Sequence, residues 1–144
     1  MLLCIGSVLS PEALADIHAL LDGQTFLEGK STAGWAAKTV KNNLQIDSES
    51  PNYQALQDSV MSALGSNEIF TLAAMPKSVR PLLFSTYAEG MGYGNHVDNA
   101  VMGSAPSMRS DVSFTVFLNE PEDYEGGELV IEDLSDTRDF KLPA

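Results

Sequence analysis

Tyr93-Gly94-Asn95-His96-Val97-Asp98-Asn99 sets a histidine and a carboxylate two residues apart in a strand-like stretch. Alternate side chains of a strand share a face. The His96 imidazole and the Asp98 carboxylate can therefore converge on one ion, as two of the three ligands of a facial His/carboxylate iron centre. A third ligand is harder to find. Only one other histidine is present, His18, and it falls near the N-terminus in a stretch that reads as helix. No histidine follows His96, so a third ligand from within the chain would have to be a carboxylate such as Glu128 or Glu132. Otherwise it would come from another subunit.

Three glycines, Gly90, Gly92 and Gly94, precede the pair. Such a run suits either a mobile rim over a pocket or a hairpin turn that needs positive φ. It is not a phosphate loop, since it has no Lys-Ser/Thr partner and no strand-to-helix switch. From Ser78 onward the period shifts toward two. Ser110 to Leu118 puts Val112, Phe114, Val116 and Leu118 on one face and predicts a strand. A loop from Asn119 to Gly126 leads to a strand at Glu128 to Glu132, and Arg138 to Leu142 begins another. Upstream, Leu2-Leu3-Cys4-Ile5 reads as a short strand with Cys4 as a buried thiol. Ser10 then caps a helix with Pro11 at its first position, with Leu14, Ile17 and Leu21 as its stripe and Gly23 beyond its end. His18 lies at the edge of that stripe and reads as a packing residue. A second helix follows Pro51, with Tyr53, Leu56, Val60, Met61 and Leu64 inward and Gly65 as its stop. A third covers Glu68 to Ala74 and ends before Pro76. Helices first and strands afterwards predict an α+β fold, with N-terminal helices packed outside an antiparallel sheet that folds into a jelly roll.

Composition bounds the function. A chain of 144 residues, 44% of them hydrophobic, suits one domain with one core. Twenty acidic against eight basic side chains give a net charge of -12, which argues against a nucleic-acid partner. One cysteine permits no intramolecular disulfide and no Cys-rich zinc site, which fits a reducing compartment. The N-terminal apolar run lacks a positive flank and breaks at Ser10-Pro11-Glu12, too soon for a leader or a membrane span. We therefore expect a cytoplasmic protein with no membrane partner.

The stretch Phe84-Ser85-Thr86-Tyr87-Ala88-Glu89-Gly90-Met91-Gly92-Tyr93-Gly94-Asn95-His96-Val97-Asp98-Asn99-Ala100 closely resembles the iron-binding strand of the PKHD-type hydroxylases, relatives of the prolyl and lysyl hydroxylases. Two further segments resemble the same family. One is Thr32-Ala33-Gly34-Trp35-Ala36-Ala37-Lys38-Thr39-Val40-Lys41-Asn42-Asn43-Leu44-Gln45. The other is Arg109-Ser110-Asp111-Val112-Ser113, running through Phe117-Leu118-Asn119 to Gly126-Gly127-Glu128-Leu129-Val130-Ile131. The resemblance implies a double-stranded β-helix, with residues 1–77 as helical support and 78–144 as the first part of a jelly-roll core. It implies that His96 and Asp98 bind iron(II), that Tyr87, Ser113 and Leu129 line the pocket of the cosubstrate 2-oxoglutarate, and that ascorbate is a further cofactor. The substrate would be a protein side chain or a small metabolite. Related halogenases lack the carboxylate ligand, so Asp98 favours hydroxylation. The family carries a distal histidine and a basic residue for 2-oxoglutarate on later strands, beyond a stretch similar to Lys141-Leu142-Pro143-Ala144. We therefore expect an incomplete jelly roll whose open edge favours a homodimer.

Plainer roles compete for each residue. Tyr87 can be an aromatic core residue, Ser113 a strand hydroxyl bonded to backbone, and Leu129 simply core. Arg109 and Asp111 suit a local ion pair better than Arg109 suits a substrate carboxylate. For the whole chain the competing reading is a catalytically inactive jelly-roll interaction domain. A calcium site at Glu132, Asp133, Asp136 and Asp139 is a weaker one, because the spacing lacks the glycine and terminal glutamate of an EF-hand loop.

Overall fold

Helix α1 (Pro11–Leu21) starts as its spacing predicts. Ala13 N–H donates to the Ser10 hydroxyl oxygen at 3.2 Å, and Pro11 takes the first helical position, where no N–H is needed. Ile17 on its inner face is fully buried. His18 Nε2–H donates to the Leu118 carbonyl at 2.6 Å, which makes it a hydrogen-bonded packing residue. The computed structural model describes residues 2–35, 37–103 and 107–144.

Helix α2 (Tyr53–Ser66) turns Tyr53, Leu56, Val60 and Leu64 to the same interior. It runs through Gly65, which the sequence suggested as its stop. Asn67 makes the break: its extended backbone ends α2, and its side chain accepts from Phe70 N–H at 2.9 Å to open α3 (Glu68–Ala74). Met75, in the left-handed conformation, closes α3 just before Pro76. Leu9, just ahead of α1, together with Ile46 and Phe84 completes the core. There the Tyr53 ring meets Phe84 edge-on at 6.2 Å, and the Tyr53 hydroxyl donates to the Leu82 carbonyl at 2.8 Å. Burying a side chain such as Ile17 or Leu56 stabilises the fold by about 1.5–3 kcal/mol each.

The strands are short and all antiparallel. β1 (Phe26–Glu28), β2 (Lys41–Asn42) and β3 (Leu44–Ile46) precede α2; β4 (Ser85–Thr86), β5 (Gly92–Tyr93), β6 (Val101–Met102), β7 (Met108–Arg109), β8 (Leu129–Glu132) and β9 (Thr137–Phe140) follow α3. β3 is the centre of a sheet ordered β1-β3-β4, while β2 pairs with β5, β6 with β7 and β8 with β9. Among the described residues the fold is thus α+β, with three α-helices and several small antiparallel sheets.

Three expectations change. The N-terminal half is not purely helical support, because β1, β2 and β3 lie within it. Residues 110–118 join no ladder among the described residues. Their alternation sorts the faces without supplying a partner: Val116 and Leu118 pack on the core and Phe114 meets Phe70 edge-on at 5.6 Å, while Val112 is 61% exposed. Leu2, Leu3 and Cys4 are exposed and unladdered, so Cys4 is not a buried strand thiol. The burial of that apolar run falls instead on Ile5, Val8 and Leu9. Among the described residues no helix is long and apolar enough to cross a membrane.

Candidate metal centre

Two glycines place the His96 segment. Gly90, at φ 77°, makes the tight turn in which Met91 N–H donates to the Ala88 carbonyl at 2.9 Å, so the chain enters β5 as a hairpin turn would direct it. Gly94 is a close approach: its N–H donates to the Val40 carbonyl at 2.9 Å, and a Cβ at this position would stand 3.0 Å from Val40 Cβ. That contact fixes the Gly94 carbonyl, which accepts from His96 Nδ1–H at 2.8 Å. The imidazole stacks on the Tyr93 ring, with centroids 3.9 Å apart and planes 14° from parallel. His96 and Asp98 themselves lie beyond β5 and join no ladder among the described residues.

The consequence is chemical. With Nδ1 committed as donor to a carbonyl, Nε2 carries the free lone pair of the neutral ring, and it faces Asp98 Oδ1 at 3.4 Å. Two acceptors at that separation, with the ring orientation locked from its far side, suit a cation between them. The donor set therefore fits iron(II) as two of its ligands. Among the described residues no group of three or more His, Cys, Asp or Glu side chains converges, so neither Glu128 nor Glu132 joins the pair.

A cleft of about 180 Å³ opens beside Asp98, lined also by Asn99, Ala100, Ser110, Asp111, Val112 and Ser113. Ser113 thus shares this cleft with Asp98, while His96 is not part of its lining. Tyr87 is half exposed, and its hydroxyl accepts from Asn43 Nδ2–H at 3.0 Å. Burial pushes the Tyr93 hydroxyl above its usual pKa, with Asp98 and then Tyr87 adding to the shift, so both lie within electrostatic reach of Tyr93. Leu129 stands on β8 opposite Phe140, away from the cleft lining. Arg109 Nε and Asp111 Oδ1 form the local ion pair at 2.6 Å, both side chains largely exposed. The acidic stretch near the end forms the β8–β9 turn. There Ser135, through its hydroxyl and its N–H, holds the Asp133 carboxyl below its usual pKa, with Asp136 N–H and Arg138 adding to the effect.

Sequence reasoning missed a buried polar row. Lys41, Asn43 and Gln45 are 3%, 3% and 5% exposed, so every second residue of Lys41-Asn42-Asn43-Leu44-Gln45 points inward and is polar. Lys41 Nζ donates to Thr32 Oγ1 at 2.8 Å and lies 5.1 Å from the Tyr93 ring centre. Gln45 accepts from the Thr32 hydroxyl at 2.7 Å and donates to Ser85 Oγ at 2.9 Å. The period-two signal was available, but hydropathy marks such a face as solvent-directed.

Residues 82–143 match the 2OG-Fe(II) oxygenase superfamily. Over 140 residues, 97% of its length, the chain is 55% identical to a PKHD-type hydroxylase of Picosynechococcus sp., covering 63% of that protein. It is 50% identical over its whole length to one of Acaryochloris marina and 49% to one of Thermosynechococcus vestitus, covering 64% and 65% of them. The chain is similar to the PKHD-type hydroxylases and spans somewhat under two thirds of the length of those it matches.

Proposed function

We propose that this chain carries the iron(II) and 2-oxoglutarate site of a dioxygenase that hydroxylates a protein side chain or a small metabolite. The observation that carries the reading is the His96 Nε2 to Asp98 Oδ1 approach of 3.4 Å, with Nδ1 tied to the Gly94 carbonyl. His96 and Asp98 would hold the metal. When bound, iron(II) supplies the oxidative decarboxylation of 2-oxoglutarate that is coupled to substrate hydroxylation in this family. The residues around it prepare the site. The Gly94 carbonyl selects the imidazole tautomer, and Tyr93 fixes the ring plane and keeps water from one face. Because the Tyr87 hydroxyl already accepts from Asn43, its own proton is free to donate to a carboxylate. Ser113 offers a second hydroxyl beside Asp98.

The same reading takes residues 78–144 as part of one jelly-roll domain with ascorbate as a reductant, both resting on the resemblance, and the cytoplasm as its location, resting on the single cysteine and the short N-terminal apolar run. A homodimer through the open sheet edge also belongs to this reading and rests on the resemblance. The test is oxygen-dependent conversion of 2-oxoglutarate to succinate by the purified chain, followed by mass spectrometry. Turnover lost in His96→Ala and Asp98→Ala supports the reading. A folded chain with no turnover above those variants supports the inactive interaction domain instead.

A further inference from the structure

Acidic side chains outnumber basic ones twenty to eight in this chain, yet one groove is lined by two cations and no carboxylate. It measures about 390 Å³. Gln57 and Met61 line it from α2, and Pro76, Lys77, Val79 and Arg80 line it from the segment that follows α3. Lys77 and Arg80 are both exposed, and neither forms an ion pair among the described residues. The groove is therefore a locally positive, partly apolar patch on an acidic molecule.

The segment itself is held in place although it belongs to no sheet. Residues 76–83 join no ladder among the described residues, and the main-chain groups of Lys77, Ser78, Val79 and Arg80 make no backbone–backbone hydrogen bond there. Side chains and caps fix it instead. Met75 closes α3 with a left-handed backbone, and Ser78 Oγ–H donates to Met108 Sδ at 3.0 Å. Past the groove, Leu82 N–H donates to Gln57 Oε1 at 3.2 Å, and the Leu82 carbonyl accepts from the Tyr53 hydroxyl at 2.8 Å. Pro76 and Pro81 restrict φ at the two flanks. Unspent main-chain donors and acceptors on a fixed segment form a template along which a peptide can add as a strand. Because the segment is already positioned, little of its own freedom is lost on binding.

We propose that this groove docks an acidic peptide segment of a partner protein. The peptide main chain lies along Lys77 to Arg80, its carboxylates meet those two cations, and an apolar side chain rests against Met61 and Val79. Charge selects this occupant over a wider one. A net charge of -12 repels an anionic membrane or a nucleic acid spread across the molecule, whereas a short peptide feels mainly the charges within the screening length of about 10 Å at about 0.1 M salt. Neither His96 nor Asp98 lines the groove, and the inference does not depend on the metal-site reading.

Fluorescence anisotropy of a fluorescein-labelled octapeptide of alternating glutamate and valine, titrated with the full chain, tests it. The unaltered chain binds saturably, and the affinity falls as salt is raised. Lys77→Gln with Arg80→Gln weakens binding about tenfold or more, the loss of charge-assisted contacts. Both side chains are exposed and unpaired, so this variant keeps its melting temperature. Lys30→Gln with Lys38→Gln makes the same change in net charge at exposed positions outside the groove lining and leaves binding unchanged. No saturable binding, or equal weakening by the two double variants, overturns the proposal.

A second peptide of the same sequence, methylated at every peptide nitrogen, probes the main-chain pairing without altering the protein. Weaker binding supports addition along Lys77 to Arg80, and equal binding overturns it. Two further outcomes also overturn the proposal by naming another occupant. One is capture of the chain by phosphatidylglycerol vesicles through Lys77 and Arg80 while the peptide does not bind. The other is a dimer in sedimentation that Lys77→Gln with Arg80→Gln separates, which makes the occupant a second copy.

Discussion

Gly94→Ala isolates the contact that orients the metal histidine. The new Cβ would lie 3.0 Å from Val40 Cβ, closer than side-chain carbons normally approach, so one of two packed backbone segments must shift by a few tenths of an ångström. Overpacking of this kind costs about 1–2 kcal/mol, which for a domain this size lowers the melting temperature by about 3–6 °C. The shift also moves the Gly94 carbonyl from His96 Nδ1, now 2.8 Å away, and a metal histidine that loses its outer partner loses about tenfold in metal affinity. Cobalt(II) titration and thermal melts measure the two effects on one sample. Val40→Gly removes the clashing atom, so in the double variant cobalt affinity returns toward the original, with a coupling of about 1 kcal/mol. Cobalt affinity and melting temperature both unchanged in Gly94→Ala would refute the reasoning, because the carbonyl would then not depend on this close approach.

Three further perturbations probe the rest of the molecule. His18→Ala removes the 2.6 Å bond between α1 and the Leu118 carbonyl; it lowers stability by about 1 kcal/mol in urea denaturation while leaving cobalt affinity unchanged, and a loss of metal would contradict the packing role. Leu56→Ala empties a fully buried position on α2 and costs roughly 2–5 kcal/mol by the same method, whereas a cost under about 1 kcal/mol would mean that this core is not close-packed. For Lys41 the folded pKa lies below 10.5, so between that lowered value and 10.5 the unfolded chain holds a proton that the folded chain has released. Stability of the unaltered chain relative to Lys41→Met therefore rises with pH through that window and is flat below it, and parallel urea midpoints across pH 7 to 11 would contradict the burial.

The helices were legible because their signals are local. Ser10 with Pro11 marks a start, and the stripe from Tyr53 to Leu64 marks a buried face, each readable without knowing what lies across the core. Gly65 misled because the stronger signal lay two residues later, where one asparagine side chain opens α3. Strands were less legible, since alternation at 110–118 states which side chains share a face and nothing about which chain lies alongside. His96 and Asp98 were found by spacing, although the strand-like context that motivated the spacing argument joins no ladder among the described residues and His96 is held instead by Gly94 and Tyr93. The inward row Lys41, Asn43 and Gln45 went unseen for a physical reason: polarity normally marks the wet face, and only tertiary partners such as Thr32, Tyr87 and Ser85 make a dry polar face tenable.

The central claim is that His96 and Asp98 build a metal site that accepts a keto acid. Its most direct test is anaerobic titration of the purified chain with iron(II) and 2-oxoglutarate, watching for the visible charge-transfer band of a keto acid chelated to iron. The account predicts a saturable band that is absent in His96→Ala and retained in His18→Ala. A folded chain that gives no band, or a band that survives His96→Ala, contradicts it.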